Sequence, residues 1–103
     1  MTTALAGKTY AADLGQLQVR ITYESDTRMT FVVSSGAGLT TDGHTETVDV
    51  EIVEIRPQVY LVSWREASGA TVVHVEDLER SVLHSTVTID GQIYRMHGTM
   101  KEL

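Results

Sequence analysis

The residues best suited to chemistry lie close together in the segment from Val59 to Gly69. Tyr60, Trp64 and Glu66 are separated by even numbers of positions, and side chains alternate along a strand, so one strand would direct all three to the same face. Two aromatic rings and a carboxylate on one face can stack against a flat ligand and polarise it. The pattern therefore predicts a pocket with Glu66 as its candidate acid or base, since apolar surroundings raise a carboxyl pKa.

The alternative for Glu66 is a carboxylate at the rim of the fold, solvated or paired with a nearby cation. His74 is a second candidate, as a hydrogen-bonding or proton-transfer group inside the same pocket. Its alternative is a core histidine whose ring nitrogens are satisfied by neighbouring groups. A direct Glu66–His74 pair is not expected, because the two residues lie at different levels along their strands.

His84 and His97 are expected to be cross-strand neighbours. Two adjacent imidazoles could bind a divalent metal or titrate as a coupled pair. The sequence offers no evident third ligand, so a solvated surface pair is the better interpretation. We predict neither a metal site nor a cofactor.

Two further patterns are interpreted as structural. The segment from Ser34 to Gly38 is rich in glycine but lacks the lysine and the following helix of a phosphate-binding loop, and it is predicted to be a flexible connection. The acidic cluster Glu76-Asp77-Glu79 is predicted to mark a solvated turn, because no spacing in it supports a cation-binding loop.

Composition limits the classes of partner. The 103 residues suit one domain spanning 1–103. A formal net charge of -6 disfavours nucleic acids and anionic membrane surfaces. Cysteine is absent, the segment from Met1 to Lys8 lacks a signal-peptide pattern, and no stretch is long and apolar enough to span a membrane. A cytoplasmic protein is the prediction.

The elements that must position these residues are short alternating runs separated by turn signals every 8 to 12 residues. This spacing predicts an all-β fold of about eight antiparallel strands. Such a meander tends to close into an up-and-down barrel, wide enough to be filled by side chains or to hold one small ligand. The predicted strands are Thr9–Asp13, Leu17–Tyr23, Met29–Val33, Thr45–Ile55, the strand beginning at Val59, Thr71–Asp77, Ser81–Ile89, and Gln92 to about Leu103.

Two turns are specific enough to predict register. Asp90-Gly91 favours a two-residue hairpin in which both residues have positive φ, which sets Val87 opposite Tyr94 and His84 opposite His97. A three-residue loop ending at Gly69 sets Trp64 beside Val72.

The segment from Val59 to Gly69 (VYLVSWREASG), the following VVHVED from Val72 to Asp77, and Gly98-Thr99 resemble the MoaF-like domains, named after molybdenum cofactor biosynthesis protein F. The resemblance implies a small lipocalin-like, or calycin, barrel. It also implies that the even-numbered face of the central strands points inward.

A more distant resemblance is to bacterial phenolic acid decarboxylases, whose barrel has a similar Tyr-x-Val-Ser-Trp-x-Glu strand. Glu66 matches their buried glutamate and Tyr23 matches one of their paired tyrosines. The second tyrosine falls at Ile21, and no arginine stands near Asp42-Gly43, where the family's arginine would fall.

Three functions remain open. The first is a binding protein that holds a small, partly aromatic molecule, with polar contacts from Glu66 and His74. The second is a lyase, decarboxylase or isomerase that uses Glu66 with a tyrosine partner, Tyr23 or Tyr60. The third is a structural or interaction protein with a filled barrel, as a homodimer that covers an outer apolar strip. The other predicted ligand-binding residues are Tyr23, Phe31, Tyr60, Trp64, Val72, Val87, Tyr94 and Met96.

Overall fold

The computed structural model describes residues 3–103, and these form a closed antiparallel barrel of eight strands in chain order, without a helix. The predicted fold class is therefore confirmed. The strands are β1 (Thr9–Leu14), β2 (Leu17–Tyr23), β3 (Arg28–Gly36), β4 (Thr45–Arg56), β5 (Val59–Arg65), β6 (Thr71–Asp77), β7 (Val82–Ile89) and β8 (Gln92–Glu102). Met1 and Thr2 lie outside the described residues. They belong to the predicted domain and to the N-terminal segment that lacks a signal-peptide pattern.

Both predicted turns have the expected geometry. Asp90 and Gly91 have φ values of 50° and 78°, and β7 pairs with β8 so that Val87 faces Tyr94. Gly69 has a φ of 94°, and Trp64 pairs with Val72. Because these turns fix register, they also fix which side chains share a level inside the barrel.

The even-numbered face of the central strands points inward, as the resemblance implied. Tyr60, Val62 and Trp64 on β5 are buried, as are Val72 and His74 on β6. The alternate positions lie outside, where Val53, Ile55 and Val73 are between 41 % and 55 % exposed. A homodimer that covers this outer apolar strip remains a prediction.

The barrel has two different ends. Its packed end is filled by side chains that are completely buried, including Leu5, Tyr23, Met29 and Leu83. The turn that carries Leu5 closes over this end, with the Gly7 amide donating to the Tyr23 carbonyl over 2.8 Å. The opposite end contains the cavity.

Strand β1 joins β8 to complete the barrel, but it is only six residues long. It pairs with β8 from Asp13 opposite Thr99 to Tyr10 opposite Glu102. The first half of β8 therefore extends beyond the end of β1. This difference in length decides which residues of β8 can reach the interior.

The prediction of a flexible connection from Ser34 is wrong for its first three residues. Ser34, Ser35 and Gly36 continue β3, because a bulge at Ser34 lets β2 pair with Ser35 and Gly36. No helix among residues 3–103 has the length and apolar character needed to cross a membrane.

Candidate functional site

The cavity occupies the barrel interior at the end formed by the loops after β1, β3, β5 and β7. It has a volume of about 80 Å³. Its lining is mainly apolar and includes Ile21, Phe31, Val72 and Val87. Leu39 and Thr40, from the loop after β3, form part of its rim. An engineered cavity that binds benzene measures roughly 150 Å³, so this smaller cavity suits a short chain, or a ring that extends beyond its rim.

One wall of the cavity is aromatic and consists of Phe31, Trp64 and His74. The ring centroids of Phe31 and Trp64 are 6.3 Å apart, and those of Trp64 and His74 are 4.8 Å apart with the rings nearly perpendicular. These separations are typical of favourable aromatic packing. Trp64 therefore stands at the centre of the aromatic wall, where its fluorescence would respond to an occupant.

Glu66 lies beside Trp64 at the rim of the cavity. The Trp64 indole Nε1–H donates to Glu66 Oε2 over 3.3 Å. Burial raises the pKa of Glu66 above its ordinary value, and the neighbouring Glu46 adds to this, while the Trp64 hydrogen bond, His44 and His74 act in the opposite direction. Glu66 is thus a half-buried acid whose negative charge is disfavoured by burial. A ligand that pairs with this charge can offset its free-energy cost.

His74 lies deeper in the cavity and is 5 % exposed. Its Nδ1 is 3.1 Å from Glu76 Oε2. The same carboxylate accepts hydrogen bonds from the Tyr23 hydroxyl, whose oxygen is 2.7 Å from Oε2 and 2.9 Å from Oε1. His74 and Glu66 do not bond to each other, and both flank Trp64. His74 is therefore a core histidine whose Nδ1 is satisfied by Glu76, and it also contributes to the cavity lining.

The Tyr23 hydroxyl keeps its proton and donates hydrogen bonds to Glu76. Burial raises the pKa of Tyr23 well above 10, and the nearby Glu76 carboxylate raises it further. The Tyr23–Glu76–His74 chain thus joins the packed end of the barrel to the cavity through two shared hydrogen bonds.

The prediction that Glu76 lies in a solvated turn is wrong. Glu76 is completely buried, because it follows Val72 and His74 on the inward face of β6. Alternation along that strand was the signal that could have found it. The nearby Asp77 and Glu79 do lie at the surface, where they pair with Arg80 and Arg56.

Six of the predicted site residues line one cavity, and four do not. Tyr23 and Tyr60 are buried in the packed end. Each is at least two positions away from the nearest cavity-lining residue of its own strand. Tyr94 and Met96 are only half-buried and lie on the part of β8 that extends beyond β1. The residues that line the cavity are Phe31, Trp64, Glu66, Val72, His74 and Val87.

The remaining histidine pair lies outside the barrel. His84 and His97 are cross-strand partners with ring centroids 6.1 Å apart, and both are exposed. Within residues 3–103, no group of three or more histidine, aspartate or glutamate side chains is arranged to hold a metal ion. A surface pair is the interpretation that fits this position.

The comparisons with known proteins agree with the fold. A crystal structure from Burkholderia vietnamiensis, described as a "putative beta-lactamase", matches with a TM-score of 0.92 over 100 % of this chain and 99 % of that one, at 24 % sequence identity. At this identity the match shows the shared barrel alone. None of the curated proteins matches the sequence significantly.

The sequence itself matches the MoaF-like family model over residues 6–101, which include all of β1 to β7 and nearly all of β8. The match contains both the aromatic wall and the Tyr23–Glu76–His74 chain. With nearly the whole barrel covered, the chain belongs to the MoaF-like family.

Proposed function

We propose that this protein binds a small, mostly apolar molecule inside its barrel, with its polar end held by Glu66 and His74. The observation that carries the proposal is the cavity beside Trp64, whose apolar lining is interrupted by these two titratable groups. Ligand sites are typically apolar pockets with a few polar groups that fix orientation. The volume of about 80 Å³ favours a short chain, or a single ring that extends beyond the rim.

The distribution of packing supports this proposal over a filled barrel. The packed end already supplies a continuous core through Tyr23, Met29 and Leu83. Glu66 is not required by that core, yet it is held beside Trp64 where burial disfavours its charge. A perturbed acid in a cleft is a common feature of functional sites.

The test is a titration of Trp64 fluorescence with one-ring and short-chain compounds. Trp64 is the only tryptophan, so the signal reports on the cavity directly. Val87→Phe, which adds bulk to the cavity lining, is expected to abolish the response, whereas Thr88→Phe, at the next position of β7, preserves it. An unchanged titration in folded Val87→Phe would contradict the proposal.

A second candidate is an acid–base enzyme on the same site. The raised pKa of Glu66 favours it, because a carboxylate with a raised pKa is a better proton acceptor than an ordinary one. The tyrosine partners predicted from the sequence do not line the cavity, so His74 takes that place. Product formation in the same titration samples, lost in Glu66→Gln, is the measurement that supports this candidate.

A further inference from the structure

Besides the Trp64 indole, the polar side chains that line the cavity are Thr40, Glu66, His74 and Ser85. Of residues 3–103, those that line it include neither lysine nor arginine. The ionisable side chains among them are Glu66 and His74. A ligand with a negative charge would therefore meet a carboxylate without a fixed cation to compensate it.

Glu76 determines what His74 presents to the cavity. A carboxylate only accepts hydrogen bonds, so the 3.1 Å contact places the His74 proton on Nδ1. The Tyr23 hydroxyl donates to the same carboxylate, so both contacts use Glu76 as the acceptor. In the neutral ring Nε2 then carries the lone pair, and His74 offers an acceptor to a ligand.

The rim adds negative charge. Glu46 lies close enough to Glu66 to influence it, and its Oε2 accepts the Ala67 amide over 2.6 Å. His44 partly compensates, with its Nε2 3.1 Å from Glu46 Oε1. The chain as a whole has a formal net charge of -6. The field at the entrance therefore favours cations over anions.

We propose, building on the proposed function, that the ligand is a small amine, bound as its ammonium form with Glu66 as its counter-ion and His74 Nε2 as an acceptor. The aromatic wall fits this class, because Trp64 and Phe31 line the cavity and the faces of aromatic rings attract cations. An ammonium group supplies the donors that both acceptors lack. It also offsets the cost of the half-buried Glu66 charge, which a carboxylate ligand would increase.

The first experiment compares three probes of one ring size at pH 7: benzylamine, benzyl alcohol and benzoate. Trp64 fluorescence and ¹⁵N–¹H chemical shifts of the full chain report on binding. Benzylamine is expected to bind at least about tenfold more tightly than benzoate, because its ammonium group pairs with Glu66 whereas the benzoate carboxylate finds no cation. Benzyl alcohol is expected to lie between them.

The outcomes separate this inference from the proposed function. Benzoate binding as tightly as benzylamine would overturn the amine assignment while leaving a functional pocket. No response to any of the three would overturn both. Glu66→Gln is expected to weaken the binding of benzylamine by about tenfold and that of benzyl alcohol by much less. Glu51→Gln, on the exposed face of β4, is the matched control and is expected to change neither.

Glu76→Gln tests the positioning of His74 separately. A glutamine can accept from Tyr23 with its carbonyl and donate to Nδ1 with its amide, which moves the His74 proton to Nε2. The cavity would then present a donor, and the preference for benzylamine over benzoate is expected to fall by about tenfold. The ¹⁵N shifts of His74 report its tautomer directly. A changed tautomer with an unchanged preference would remove His74 from the ligand contacts.

Discussion

Glu76 is an acid buried completely inside a small barrel, and two side chains share its carboxylate. Such a group is tolerated only when its acceptor capacity is used, because leaving a buried polar group unpaired costs free energy. Every buried side-chain nitrogen and oxygen of residues 3–103 has a partner. The Tyr23 hydroxyl is therefore a structural requirement of the packed end as well as a support for His74.

Replacing Tyr23 with phenylalanine is expected to lower the free energy of unfolding by about 1–3 kcal/mol, the typical cost of removing one partner of a buried charged group. Urea unfolding at pH 7 measures it. Tyr94→Phe is the matched control, because the Tyr94 hydroxyl bonds Gln92 at the surface, and it is expected to change stability by less than about 0.5 kcal/mol. Equal effects of the two variants would contradict this role of Tyr23.

At the residue scale, alternation and the Gly69 turn placed Trp64, Glu66 and His74 on one face, and the family resemblance directed that face inward. The sequence did not identify the partners of His74. Glu76 stands in an acidic run whose composition resembles a solvated turn, and Tyr23 is 53 positions away along the chain. Contacts across a barrel depend on its shear and diameter, which short-range patterns do not encode.

At the element scale, closure of the barrel depends on close contact between β1 and β8. A Cβ atom at Gly98 would lie 1.8 Å from the Asp13 carbonyl oxygen and 3.1 Å from the Leu14 Cα. These are backbone atoms, so a side chain at position 98 can fit only if one strand moves. Glycine at this position lets β8 pass under the end of β1.

Gly98→Ala is accordingly expected to destabilise the barrel by about 1–3 kcal/mol or more, in the range of overpacked interiors. Hydrogen exchange should show the loss first in the β1–β8 pairs, because the displaced strand is only six residues long. His97→Ala, at the preceding exposed position, is the control and should leave both stability and exchange nearly unchanged. Protection of β1 that survives Gly98→Ala would contradict this account of closure.

The strands themselves were largely predictable, since alternation and the Asp90-Gly91 turn specify β5 to β8 and their register. The unequal lengths of β1 and β8 were not. The sequence placed Tyr94 and Met96 beside the cavity because they share an inward register with Val87 and Ser85. Without β1 alongside them, the two side chains are only half-buried, and neither lines the cavity.

At the scale of the whole molecule, the packed end links stability to alkaline pH. Burial raises the pKa of Tyr10 to about 12 and that of Tyr23 well above 10, and their rings meet edge to face at 6.2 Å. In the unfolded chain a tyrosine loses its proton near pH 10. Above that pH the folded barrel binds more protons than the unfolded chain, so the free energy of unfolding falls as pH rises.

The stabilising contribution of these two protons is complete below pH 10. For Tyr10 it is lost between about pH 10 and 12, and for Tyr23 the loss continues to higher pH. Each tyrosine can contribute a slope of up to about 1.4 kcal/mol per pH unit. Urea unfolding at pH 8, 10 and 11 is expected to show little change over the first interval and a steep fall over the second.

The double variant Tyr10→Phe/Tyr23→Phe separates this contribution from the general deprotonation of lysines. It starts from a lower stability at pH 8, because the donor to Glu76 is gone, yet its loss between pH 10 and 11 should be smaller than that of the unmodified chain. Tyr94→Phe provides the reference for replacing a tyrosine nearer the surface. A double variant that loses stability as steeply as the unmodified chain would show that the protons held at the packed end do not govern the alkaline limit of this barrel.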